Sequence, residues 1–586
     1  MPARSQQLLR RIVVLRPGEG VTAWLMFTYS FLVMTAYNIV KPITRSKAIS
    51  ALGADNLPYV LMGAAVIIGT LMHLYGRSTA RLPRRLVAPV TQAGLAVLLI
   101  AFWVLFRTGA AWVSAAFFVF GLIFGLLLVS QFWTLANEIY DSRQARRLFG
   151  FIGGGASLGG ITGAAVTTFA VSSLGSDYLA LLSAVVLLLC AAIVVAIGRR
   201  QPAVDDTPLV TGEPEPERHD AWRLLLGSRH LQLIALVVGV AALGAVFVEQ
   251  QLNMAVAESG ATTDDITRYL GRVTMFLSMA GLVVQVGLTS RLHRTYGLAA
   301  SLLLLPIVLG ASTVVILATG AVWAAALARV LDTSLRYTVD RTTREVLFLP
   351  LPVELTQQAK PFVDVTVDRI AKGIGAVLLL GLIKPWGLGL AWQQLGYVNL
   401  IIVAAWIGLA LAAHREYLSM FRRNLHTGAI QPAAVRFDIA DSRTIALLVS
   451  ELWSPKDASV VYAIDMLETV GRPDVLPASL FAHQSGSVRA RALLALERSD
   501  SADTESMLPI VRRLMTDPEA DVRAAAVRAL AALQHTSERS SLRPHLADPS
   551  PVVAAAAAVE LAESGVADDE SAAEAALARI IADPDD

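Results

Sequence analysis

The sequence predicts an all-α protein: twelve membrane-spanning helices in two halves of six, followed by a helical repeat domain. Three observations carry this. The 586 residues are 55% hydrophobic and only 16% charged, with a mean hydropathy of +0.57. That is too apolar for an ordinary soluble chain and points to many spans. The charge is divided: 35 basic and 22 acidic residues stand before residue 430, but 14 basic and 25 acidic from 430 onward. A basic membrane region and an acidic tail are physically different parts. Finally, the tail repeats a helical pattern at spacings of 34 and 30 residues, the mark of a repeat architecture.

A span needs roughly 20 apolar residues. Candidates lie near 20–41, 57–75, 86–106, 111–137, 148–171, 178–198, 230–251, 269–290, 297–318, 321–349, 362–383 and 393–413. Basic residues cluster in alternate connections: Arg4, Arg10, Arg11 and Arg16 before the first span, Arg77, Arg81, Arg84 and Arg85 after the second, Arg143, Arg146 and Arg147 after the fourth, and Arg415, Arg422 and Arg423 after the last. Positive charge marks the cytoplasmic side, so both termini and the tail are expected there, in a cell inner membrane. The Pro- and acid-rich stretch at 199–229 reads as a cytoplasmic linker. The organisation is therefore 1–198, first half; 199–229, linker; 230–429, second half; 430–586, repeat domain. Cys190, the single cysteine, reads as a packing residue.

The halves echo each other. "NEIYDSRQARRLFGFIGGGASLGGITGA" from Asn137 and "REVLFLPLPVELTQQAKPFVDVTVDRIAKGIGA" from Arg344 each run acidic residue, loop, Gln-Ala-basic, then a glycine-bearing span. They fall at equivalent junctions of two six-span halves. A parallel two-half repeat is the organisation of the major-facilitator type of transporter, whose substrate path runs between the halves. The glycines of the first stretch follow no strand, so they read as close helix packing rather than a phosphate loop. In the tail, "SVRARALLALE", "DVRAAAVRALAAL" and "PVVAAAAAVELAE" recur beside Asp-Pro turns, with a weaker copy at 459–471. That pattern is a HEAT-like α-solenoid, a scaffold on which a protein partner could dock.

Charges inside spans mark a bundle interior or a polar path. Asp364, Asp368 and Lys372 are four apart and form one helical stripe, with Arg369 beside it. Either Arg369 or Lys372 meets an anionic substrate, or the cluster is an ion-pair lock with Asp368 and Lys372 paired. Asp332, Arg336 and Asp340 form a second stripe. Arg336 offers a planar fork for phosphate or carboxylate, or an internal pair for either aspartate. Lys41 ends the first apolar run, to snorkel or to bind substrate charge. Glu249 of the seventh span takes a proton, pairs with a cation of the other half, or lines a vestibule. Glu138 and Glu345 read as gate residues near arginines. No Walker lysine, HExxH, paired cysteines or Ser–His–Asp set stands out, so no enzyme, metal, cofactor or nucleic-acid partner is expected.

"TTREVLFLPL" (342–351) followed by "QAKPFVDVTVDRIAKGIGA" resembles the ATP/ADP antiporter family of plastids and intracellular bacteria, as do "FWTLANEI" (132–139) and "QARRLFGFIGGGASLGG". Thr343, Arg344, Glu345, Pro350, Leu351, Lys360, Asp364, Val365, Arg369, Lys372 and Gly375 match that family's pattern in kind and spacing. The family's seventh-span lysine is Asn253 here, and the fused acidic repeats resemble divergent bacterial members. The resemblance implies twelve spans, a facilitator-like fold and exchange or uptake of nucleotides, with cavity lysines and arginines on the phosphates. The candidate substrate residues are Lys41, Glu249, Arg336, Asp364, Arg369 and Lys372. The candidate gate or ion-pair residues are Glu138, Arg146, Arg147, Asp332, Asp340, Arg344, Glu345, Lys360 and Asp368. The rival readings are a proton-coupled carrier of another solute and a membrane scaffold or sensor acting through the tail.

Overall fold

The computed structural model describes residues 19–79, 84–200, 218–351, 353–427, 442–469, 472–497, 504–533, 536–564 and 566–582. The basic segment before the first helix and most of the 199–229 linker lie outside them. The described residues are helical throughout and contain no strand. They group into two compact units. One holds 1–289, 302–344 and 357–413; the other gathers 414–586 with 290–301 and 345–356.

The first unit opens with six helices: α1 (Gly20–Leu52), α2 (Leu57–Thr79), α3 (Arg84–Leu105), α4 (Ala111–Ile139), α5 (Ser142–Leu174) and α6 (Ser176–Gly198). A short α7 (Arg218–Gly227) precedes α8 (Arg229–Glu258) and α9 (Thr263–Val283). Next come α10 (Thr289–Thr319), α11 (Val322–Leu335), α12 (Arg341–Leu347), α13 (Val353–Pro361), α14 (Asp368–Ile383) and α15 (Leu395–Thr427). Ser228 caps α8 by accepting from the Leu231 N–H, and Thr262 caps α9 by accepting from the Asp265 N–H, relieving donors that a helix start leaves orphaned. Gly297, at φ +75°, breaks α10 into the end of one crossing and the start of the next; only glycine takes that backbone without strain.

Nine of the described helices are long and apolar enough to cross a membrane. The three that fall short stand at the eighth, tenth and eleventh positions. Each is interrupted by a π segment: Val284–Leu288, Arg336–Asp340 and Phe362–Val367. Helices that are charged and locally widened fail a hydropathy measure even where they occupy a span position, and π segments concentrate at functional sites. The expected first span, 20–41, is too short. The helix runs on to Leu52 because its second part is buried by packing, with Pro42, Ile43, Thr44, Ser46, Ala48 and Ile49 all inside. Lys41 is therefore in mid-helix, not at a span end, and the snorkelling reading loses its basis.

The first half packs around α1, whose buried Met26, Tyr29 and Ile39 join Phe117, Phe124 and Cys190 in one core. The glycine-rich α5 lies against α1 backbone to backbone. A Cβ added at Gly155, Gly159 or Gly163 would come 2.5, 2.1 or 2.4 Å from the carbonyl oxygens of Phe27, Phe31 and Thr35. The small residues thus serve close packing.

In the second unit, α16 (Ser442–Glu451), α17 (Asp457–Thr469), α18 (Gly486–Glu497), α19 (Thr504–Leu514), α20 (Ala520–Leu533), α21 (Pro551–Ala562) and α22 (Ala567–Ala582) share one apolar core. The 459–471 copy supplies α17. A ladder of arginines ties the repeats together. Arg489 donates to both oxygens of Asp517 at 2.8 and 3.0 Å, and to the His483 carbonyl at 2.7 Å. Arg523 repeats this on Asp548, at 2.8 and 3.0 Å, and on the Asp517 carbonyl at 3.0 Å. Each arginine so closes its own turn and grips the next.

Candidate functional site

The charged residues of the spans converge on Glu249 of α8. One of its oxygens accepts from Arg45 of α1, the other from Arg329 of α11 at 2.7 Å. Arg329 also stands 3.6 Å from Asp332, whose carboxylate pairs with Arg336 one turn on. The Arg336 guanidinium lies 5.7 Å from the centre of the Trp406 ring. A chain of alternating charge therefore runs from the first half into the second: Arg45, Glu249, Arg329, Asp332, Arg336. Asp332 is fully buried, and such a charge persists only when paired.

Lys41 stands beside this chain, one turn before Arg45. Its electrostatic neighbours are Arg45, Arg329 and Glu249. Its ammonium lies 5.6 Å from the Tyr37 ring and forms no ion pair or hydrogen bond among the described residues. Lys372 is a further cationic neighbour of Glu249 and pairs with Asp368 at 2.7 Å. Cations thus outnumber carboxylates around Glu249, and one of them, Lys41, makes no direct ion pair among the described residues.

The contacts joining the two halves crowd toward one end of the bundle, where α1 and α8 finish. Beyond Arg45 and Glu249, Ser46 meets Thr267 at 2.5 Å and the Gln250 amide donates to the Ala54 carbonyl at 2.7 Å. Asp264 accepts from the Ser176 N–H at 2.9 Å, and Lys384 donates to Asp55 at 2.6 Å and to Asn56 at 2.5 Å. Toward the other end, a crevice of about 270 Å³ opens between α1 and α5 on one side and α9 and α11 on the other. These contacts gather at the end where α1 finishes, and the crevice lies beside Met34, near the middle of α1.

Of the expected substrate residues, Lys41, Glu249, Arg336 and Lys372 fall in or beside this cluster. Asp364 and Arg369 are exposed. Asp364 lies in the Phe362–Val367 π segment, and Asp368 and Lys372, which follow it, pair with each other. In the second stripe Asp332 holds Arg336 and Asp340 holds Arg344 at 3.1 Å, with Asp340 also among the electrostatic neighbours of Arg336. Among the gate candidates, Arg147 donates to Glu19 at 2.5 Å. Glu138 and Glu345 are exposed, Lys360 is half-buried, and the Arg146 side chain lies outside those described. The candidate set omitted Arg45, Arg329, Lys384, Asp55 and Tyr337. Arg45 and Arg329 had a signal: each follows or precedes a chosen residue by about one helical turn.

The family is decided by a match over more than half of the chain: the model of the Major Facilitator Superfamily covers residues 23–332. The chain belongs to the major facilitator superfamily. Within this facilitator, residues 313–417, from α10 to α15, match the model of the TLC ATP/ADP transporter, and residues 473–562 match HEAT repeats. Among curated proteins, it is 22% identical over 362 residues to ADP,ATP carrier protein 3 of Rickettsia felis, covering 54% of this chain and 72% of that one. It is 21% identical to ADP,ATP carrier protein 1 of Chlamydia pneumoniae (70% and 87% covered) and 24% identical to the protein of the same name from Chlamydia trachomatis (70% and 84%). Among solved structures, the nucleoside transporter NupG aligns with a TM-score of 0.47 and 14% identity, over 68% of this chain and 98% of that one.

Proposed function

We propose that this facilitator carries nucleotide phosphates across a cell inner membrane, by exchange or uptake, through alternating access of the site around Glu249. The observation that carries the reading is Lys41, a cation without an ionic partner among the described residues, beside two arginines that share one carboxylate. An unbalanced positive cluster in a low-dielectric path favours an anion. A phosphate chain entering it competes with Glu249 for Arg45 and Arg329, while Lys41, which has no direct ion pair, takes further phosphate charge. The relatives named as ADP,ATP carriers make nucleoside phosphates the first substrates to try. On the basic connections, the end where α1 begins is the cytoplasmic one, and the acidic HEAT-like tail then stands in the cytoplasm, where a protein partner docks on it. Charged residues here bind and release; no bond of the substrate is broken.

The test is reconstitution of the full chain into liposomes loaded with ADP, measuring uptake of labelled ATP. Uptake above protein-free vesicles is expected, falling at least tenfold in Lys41→Gln. The reading is overturned if no nucleotide is moved and none raises the melting temperature, which a ligand of the folded state must do.

A further inference from the structure

The crevice between the halves has the shape and chemistry of a receptor for a planar ring. Its volume is about 270 Å³. One wall is the Tyr337 ring of the Arg336–Asp340 π segment, which is 65% exposed although it sits between the halves of a packed bundle. Its neighbour Arg336 turns away to Asp332 and Trp406, so the π segment splits a cation and an aromatic face between two compartments. From α5 the lining takes Ala156, Ser157 and Gly160, whose small side chains leave room in the crevice. One turn before Tyr337, Thr333 also lines the crevice. It is 6% exposed, and its buried hydroxyl has no hydrogen-bond partner. Buried hydroxyls are normally satisfied, and an orphan at a cavity wall points to a group that the cavity receives. Gln285 adds an exposed amide, able both to donate and to accept.

We infer that this crevice holds the base of a nucleoside phosphate, stacked on Tyr337 and hydrogen-bonded through Thr333, while its phosphates lie on the cations around Glu249. An exposed aromatic face beside small side chains suits any heteroaromatic ring, because every base has a π-face. The orphan hydroxyl and the amide suit a ring whose edge carries donors and acceptors. The two compartments share one element, since Arg336 and Tyr337 are consecutive residues of the π segment. Tyr37, the ring below the Lys41 ammonium, has Tyr337 among its electrostatic neighbours together with Arg45, Glu249 and Arg329. This inference rests on the nucleotide reading above and adds where specificity for the nucleoside lies.

The experiment titrates the purified full-length protein with ATP and with inorganic tripolyphosphate, which carries the phosphate chain without a base. Wild type is expected to bind ATP at least tenfold tighter than tripolyphosphate. Tyr337→Ala is expected to weaken ATP about tenfold and leave tripolyphosphate unchanged, Tyr337→Phe to retain affinity, and Thr333→Val, near-isosteric, to weaken ATP several-fold. Melting without ligand checks that each variant folds. If the variants leave ATP unaffected, or weaken tripolyphosphate equally, the base subsite is wrong and the phosphate site stands. If wild type binds neither ligand, the nucleotide reading fails and takes the subsite with it.

Discussion

Arg45 of α1 and Glu249 of α8 form an ion pair between residues 204 positions apart that ties α1 to α8. Because Arg329 shares the same carboxylate, Glu249 neutralises two arginines at once. Glu249→Gln strands both charges. Removing one partner of a buried pair costs about 3–5 kcal/mol, so a large drop in melting temperature is expected. The exchange Arg45→Glu with Glu249→Arg is expected to recover less than half of it, because Arg329 then faces a new arginine. Melting of the two variants checks this; full recovery would show that Arg329 does not act on the pair.

Lys384 closes the same end of the bundle by bridging to Asp55 and Asn56. Lys384→Ala is expected to raise the population open at that end. The sole cysteine, Cys190, is buried, so a Cys190→Ser background permits a reporter at Ile49, which is 3% exposed. Faster labelling of Ile49→Cys by a water-soluble maleimide in the Lys384→Ala chain is the expected result. Equal rates would remove Lys384 from the gate.

Gly159 meets the Phe31 carbonyl so closely that no side chain fits without moving α1. Gly159→Val is expected to abolish folded protein, whereas the same change at Gly153, where a Cβ meets nothing within 4 Å, is expected to be tolerated. Yield and monodispersity on size exclusion separate the two.

The repeat ladder makes the tail sensitive to acid. Hydrogen bonds from Arg523 hold the Asp548 carboxyl below its usual range, against burial. Burial pushes Asp517 upward, but bonds from Arg489 and the Glu519 N–H outweigh it, and the net shift is down. A carboxyl depressed in the folded state contributes stability that is complete above its unfolded value, about 4, and is lost as pH falls through the folded one. His545 is lowered mainly by burial, so its neutral form is favoured and its contribution fades as pH drops below about 6.5. Hydrogen-exchange protection across residues 486–562 of the full chain, taken relative to the intrinsic amide rate at each pH, is expected to fall slightly from pH 6.5 to 5 and steeply below 4. Arg489→Met, which strands the buried Asp517, should lower it at neutral pH by about 3 kcal/mol.

The tail was legible because each repeat must bury the same valine and alanine positions and close the same turn. Val488, Val522 and Val553 recur for the first reason, Asp517 and Asp548 for the second. The Arg489 and Arg523 ladder was visible as letters but not as contacts, because nothing in a repeat says which neighbour its arginine grips. In the bundle, hydropathy found the nine apolar helices and the glycines of α5. It stopped the first span at Lys41, where polar residues begin, because burial of Thr44 and Ser46 against other helices leaves no hydropathic trace. The pairing of Arg45 with Glu249 was beyond any spacing rule.

An α-helix advances about 100° per residue, so a π segment acts as a change of phase: every side chain beyond it points where its predecessor would have pointed. The π segment Arg336–Asp340 lies between two ion pairs, Asp332 with Arg336 and Asp340 with Arg344. The chemistry of that wall is thus held in angle as well as in residue type. A single-residue deletion within 337–339 keeps every charge yet turns one pair relative to the other. Two chains of this superfamily with the same letters across the segment present different surfaces to a solute if only one carries the extra residue.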